Sequence, residues 1–78
     1  MNFRTLFFRH YDRTVGTGLI TFFETGISKK DFTRLCTEKD FVLDDSSLER
    51  AMGAMGLSPE EKEELRQAKR EATEGEGL

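Results

Sequence analysis

All eight aromatic residues of this 78-residue chain, Phe3, Phe7, Phe8, Tyr11, Phe22, Phe23, Phe32 and Phe41, fall within its first 41 positions. No aromatic residue follows that could anchor a second core. A chain of this size buries roughly 60% of its unfolded surface on folding, so its stability is marginal and its large side chains must share one core. The front of the chain therefore holds that core, and the rest closes it with Leu, Met and Ala.

Composition narrows the class. Apolar residues make up 36% and charged residues 35%, so the core must be economical. The single cysteine, Cys36, cannot form an internal disulfide, which excludes a disulfide-stapled secreted miniprotein. One histidine and one cysteine do not furnish the usual four-ligand zinc site, and neither a metal nor another cofactor is expected. The opening MNFRTLFFRHYDR carries arginines at 4, 9 and 13 and no apolar stretch of signal-peptide length. No run approaches the ~20 apolar residues needed to span a bilayer. A soluble cytoplasmic chain with no membrane partner is expected.

The net charge of −3 is unevenly spread. Residues 1–43 carry seven Lys/Arg against five Asp/Glu, net +2, and residues 44–78 carry five against ten, net −5. The acidity belongs to the later segment, and the mildly basic front hints at an anionic partner.

Helix boundaries are clearest in the second half. Ser58-Pro59-Glu60-Glu61 reads as a helix start, with Ser58 as N-cap, Pro59 in the first turn and Glu61 completing a capping box. The helix that follows carries glutamates early and Arg66, Lys69 and Arg70 late, with a thin apolar stripe of Leu65, Ala68 and Ala72. Its tail over 73–78 has nothing to bury and is expected to be disordered. Upstream, Leu48, Ala51, Met52 and Met55 repeat at helical spacing, with Ser46 and Glu49 as a capping-box pair and Gly56 as the C-terminal glycine. Gly53 inside that helix costs about 1 kcal/mol relative to Ala and offers a close helix approach. Ser28 and Asp31 have capping-box spacing, and Phe32, Leu35 and Cys36 supply an inward face behind them.

The front allows two readings. Phe3, Leu6, Phe7, His10 and Tyr11 step as a helix, and Leu19, Ile20, Phe22, Phe23 and Ile27 allow another from Thr17. Alternatively, Gly16-Thr17-Gly18 turns a hairpin between strands 5–12 and 19–24, since Phe, Tyr, Ile and Thr favour strands. Neither segment alternates in period two, which favours helices. The expected fold is all-α, a compact bundle of about five short helices (2–14, 17–25, 28–37, 46–55 and 59–71). It forms one domain over 1–72 with the tail beyond it.

No catalytic constellation is evident: His, Cys and Asp are not grouped at useful spacing, and no glycine-rich phosphate loop is present. A non-enzyme is expected. His10 reads as a satisfied, half-buried side chain, and Cys36 as a small core residue.

Residues 25–58, TGISKKDFTRLCTEKDFVLDDSSLERAMGAMGLS, resemble the phage-repressor (Cro-like, lambda-repressor-like) helix-turn-helix family. The resemblance makes Thr25-Gly26-Ile27-Ser28 the turn, with Ile27 buried, and makes the next helix the one that lies in the DNA major groove. It implies Ser28, Lys29, Lys30, Thr33, Arg34 and Thr37 as outward, DNA-binding residues, and Phe32 and Leu35 as inward ones. Lys and Arg suit phosphates, and Arg can pair bidentately with guanine. The pattern places a small residue four positions before the glycine, where this chain has Phe22, and apolar residues where it has Thr21 and Thr25. A turn one residue longer puts Ile20 and Thr21 at those positions instead.

The function this implies is sequence-specific binding of double-stranded DNA by a small transcriptional regulator of a bacterial mobile element or phage. A module this small buries little DNA surface alone, so a homodimer reading two half-sites about one helical turn apart is expected. The alternative is a protein-interaction module, an antirepressor or adaptor on a similar scaffold. On that reading Lys29, Lys30 and Arg34 are a solvated helix face, and Phe8 or Phe41 marks a partner surface.

Overall fold

In the computed structural model, which describes residues 2–38 and 40–76, the chain forms four α-helices and one 3-10 turn. They are α1 (Phe3–Thr14), the 3-10 turn Phe23–Thr25, α2 (Lys29–Thr37), α3 (Asp45–Ala54) and α4 (Pro59–Glu76). No strand occurs among the described residues, so the hairpin reading of the front is set aside.

Helix α1 begins at Asn2, whose side chain accepts from the Thr5 N–H at 2.8 Å. It buries Phe3, Leu6, Phe7, His10 and Thr14, one stripe at the spacing of three and four that a helix face requires. The expected second helix over 17–25 does not form. Gly18 sits at φ 81, outside the right-handed helical region, and the chain turns back so that Leu19 and Ile20 donate to the Thr14 carbonyl. Thr21 and Glu24 then exchange capping bonds, Thr21 N–H to Glu24 Oε2 at 2.6 Å and Glu24 N–H to Thr21 Oγ1 at 3.3 Å. The helix so started ends one turn later at Gly26, φ 74. With only four residues between this cap and the glycine, a single 3-10 turn is what fits. The buried Thr25 hydroxyl donates to Phe22 O and accepts from Ile27 N–H, so its polarity is satisfied inside the core.

Helix α2 starts at Ser28, whose hydroxyl accepts from the Asp31 N–H at 3.1 Å. Leu35 is fully buried and Phe32 half-buried, but Cys36 is exposed rather than part of the core. Two large rings already fill the space that faces α1. Phe32 lies 5.2 Å from Tyr11 and 5.1 Å from Phe22, leaving the sulfur on the outer side. Burial pushes the Tyr11 phenol up, with Cys36 and Asp12 adding to it. Leu43, fully buried, plugs the core from the connection to α3.

The N-cap of α3 is Asp44, which accepts from Ser47 N–H at 2.7 Å, and not the expected Ser46. A carboxylate there has a second benefit, because it faces the positive end of the helix dipole. The helix closes as expected at Gly56, φ 66: Leu57 N–H donates to Met52 O and Gly56 N–H to Gly53 O. That pair of bonds is a Schellman motif. Gly53 is exposed with open space around its Cα, so it mediates no close helix contact. Helix α4 opens with the full capping box, Ser58 N–H to Glu61 Oε1 at 2.9 Å and Glu61 N–H to Ser58 Oγ at 3.2 Å. It packs on α1, buries Leu65 and Ala68, and runs past the expected end at 71 to Glu76. Of the tail expected to be disordered, residues 73–76 are helical, and 77 and 78 lie outside the described residues.

His10 departs most from its expected environment. It is 4% exposed, and neither ring nitrogen has a hydrogen-bond partner. Nδ1 lies 3.8 Å from Glu61 Oε2, beyond bonding range, beside a small cavity of about 200 Å³. A buried polar group without a partner costs roughly 1–3 kcal/mol. His10→Leu is therefore expected to stabilise the domain by about 1 kcal/mol or more in urea unfolding. A loss of stability would show that the ring's packing and its approach to Glu61 outweigh that cost.

Besides Glu38 at the end of α2, three carboxyls sit below their usual range. Hydrogen bonds from Ser47 lower Asp44, the bidentate bond to Arg66 lowers Glu49, and the Ser58 N–H lowers Glu61. A depressed carboxyl stabilises the fold above its unfolded pKa, about 4 for these residues, and loses that contribution as pH falls through the folded value. Thermal melts are thus expected to be flat across neutral pH and to drop below about pH 4. A drop already complete at pH 5 would contradict this.

Candidate nucleic-acid interface

Helix α2 is the segment the sequence marks for chemistry, and its placement follows from the aromatic packing behind it. Phe32 and Leu35 turn inward, so the opposite face is solvent-exposed and carries Ser28, Lys29, Lys30, Thr33, Arg34 and Thr37. All six expected site residues are thus exposed on one helix and its cap.

Their availability differs. Lys29 and Lys30 have no acidic partner within ion-pair distance among the described residues. Both stand in the first turn. Arg34, by contrast, is engaged twice. Its Nε and Nη2 donate to the two carboxylate oxygens of Glu38 at 2.8 and 3.1 Å, and its guanidinium lies 4.2 Å from the centre of the Phe41 ring. The pairing raises Arg34 and lowers Glu38 from their ordinary values. Arg34 therefore ties the end of α2 to the following loop, and Glu38 is largely neutralised as a repulsive charge. The Ser28 oxygen is committed to its cap, and the Thr37 hydroxyl donates to Thr33 O at 2.9 Å. The chemically free residues of the six are Lys29, Lys30 and Thr33.

Two further arginines border this helix, and the sequence reading missed both. Arg4 of α1 donates from Nη2 to the Cys36 carbonyl at 2.7 Å, satisfying the C-terminal end of α2. Arg50 of α3 reaches Gly26 at the turn ahead of α2, Nη1 to carbonyl oxygen at 3.4 Å. Nothing in the spacing of either arginine announces this. Only the glycine at 26, needed where another side chain crosses the turn, is a signal visible in the sequence.

Elsewhere the surface is structural. The groove between α3 and α4 is crossed by Arg66–Glu49 at 2.7 Å and Lys69–Asp45 at 2.6 Å. Among the described residues no group of three or more His, Cys, Asp or Glu is placed to hold a metal ion. Among the described residues no helix is long and apolar enough to cross a membrane. Two large apolar side chains among the described residues are exposed, Leu19 at 73% and Phe23 at 81%, both in the stretch expected to be helical. Phe8 and Phe41, either of which marks a partner surface on the protein-interaction reading, are half-buried. No family model, curated protein or solved structure matches this chain, so the site is read from its own residues.

Proposed function

We propose that the protein is a small, non-enzymatic transcriptional regulator that binds double-stranded DNA sequence-specifically through α2. The observation that carries this reading is the unpaired Lys29–Lys30 step at the exposed start of α2, on a helix whose other face is locked into the core. Lysines in the first turn of a presented helix suit phosphates, and Thr33 one turn on suits a base edge or backbone. The resemblance to phage repressors adds a bacterial or phage setting and a cytoplasmic homodimer reading two half-sites. The acidic helix α4 is a separate element, so the net −3 of the chain does not describe the charge at α2.

The helix-turn-helix is reduced on this reading. The element before the turn is one 3-10 turn, and Phe22 occupies the position where the family pattern has a small residue, packing instead against Phe32. Arg34 passes from base-reader to brace.

A second reading is favoured by Leu19 and Phe23, whose exposure suits a protein partner. Titrating salt against binding to a random duplex pool separates the two. Under the DNA reading affinity falls steeply with salt, and Lys29→Ala with Lys30→Ala lowers the log–log slope by about two and removes most affinity. A double variant that binds as well as wild type would show that α2 is not the DNA-binding element. Phe23→Ser leaves DNA binding unchanged on the first reading and abolishes partner binding on the second.

A further inference from the structure

Gly26 is constrained twice. Its φ of 74 lies in the left-handed region, and a Cβ on it would overlap the Cδ and Cγ of Arg50. The stem of Arg50 thus crosses from α3 over the turn that starts α2. Its guanidinium, which has five N–H donors, makes one long contact there, to the Gly26 carbonyl at 3.4 Å. That is a weak use of an arginine. Arg13, Arg34, Arg66 and Arg70 each pair with a glutamate, and Arg4 with the Cys36 carbonyl. Arg9 and Arg50 are exposed with no carboxylate within ion-pair distance among the described residues, and of the two Arg50 is the one at the turn that starts α2.

We propose that Arg50 is a third DNA contact, clamping the phosphate backbone beside Lys29 and Lys30. This rests on the DNA-binding reading above. Gly26 lies three residues before Lys29, and three residues of chain span at most about 10 Å. Arg50, Lys29 and Lys30 therefore converge on the same end of α2 from two helices. Among the described residues no acid lies within ion-pair distance of Arg50, Lys29 or Lys30. Asp44 accepts from Ser47 N–H, Glu24 from Thr21 N–H, and Asp31 is half-buried. The pinned stem of Arg50 sets its head beside the turn and off the face of α2, which suits a phosphate and not a base edge. Contacts of that kind position a protein on DNA and carry no sequence information.

The test uses the full chain with a duplex selected by the wild-type protein from a random pool, and a scrambled duplex of equal length. Arg50→Met keeps the stem against Gly26 and removes the charge, while Arg50→Lys keeps the charge. Arg50→Met is expected to weaken binding to both duplexes by the same factor and to reduce the salt slope by about one, with Arg50→Lys restoring the slope. Loss of stem packing alone would not move the salt slope. An unchanged slope in Arg50→Met overturns the assignment while leaving DNA binding intact, and so does a loss confined to the selected duplex. Wild-type protein that selects no duplex at low salt overturns the DNA reading itself, and Arg50 with it.

Discussion

The structure depends on one continuous aromatic stack. From Phe3 the rings pass to Phe7, then to Phe8 and Tyr11 on the same helix, across to Phe32 of α2, and on to Phe22 and Phe23 before the turn. Neighbouring centroids lie 5.1 to 6.2 Å apart, the separation at which edge-to-face and offset rings attract beyond their buried area. Because Phe32 is gripped from both sides, the rotation of α2 about its axis is fixed, and with it the exposure of Lys29 and Lys30. The eighth aromatic, Phe41, stands outside the stack and carries the Arg34 guanidinium.

Around that stack the short elements hold because nearly every helix end is closed by a specific bond. Asn2, Ser28, Asp44 and Ser58 each cap a helix start, and Gly56 closes α3. In a domain with so little core, caps worth about 1 kcal/mol each are a large share of net stability. His10 is the exception, a buried ring between α1 and α4 with neither nitrogen bonded. The arginines divide by use: several are spent on glutamates or on the α2 C-terminus, whereas Lys29, Lys30 and Arg50 near the start of α2 have no ion-pair partner among the described residues.

Local signals were legible where one residue decides the outcome. The Ser58–Glu61 box, the Ser28 cap, the positive-φ glycines 26 and 56, and the stripe of α1 all read directly from residue type and spacing. The all-helical class followed from the same periodicity, and the exposure of the six residues at Ser28 and on α2 matches what the resemblance implied. Where two signals competed, the sequence misled. Leu19, Ile20, Phe22 and Phe23 have helical spacing, yet Gly18 breaks the chain ahead of them and the cap at Thr21 leaves only four residues before Gly26, room for a single turn. Ser46 and Asp44 both have cap chemistry, and the choice fell to Asp44. Cys36 lies on the expected inward side, but Phe32 and Leu35 already fill it.

By itself, then, the sequence determined most of the helix caps and that the front is basic while the later segment is acidic. These depend on neighbours within four residues or on simple sums. The core is shared, since seven of its twelve buried apolar residues among those described, Leu43 to Ala68, lie beyond the last aromatic. Tertiary structure decided which charges remain available. Whether Arg34 meets Glu38 and Phe41, whether Arg50 crosses Gly26, and whether His10 finds a partner depend on residues brought together from distant parts of the chain. Such pairings are set by the packing angle of one helix on another, which the aromatic stack fixes and which spacing along the chain does not encode.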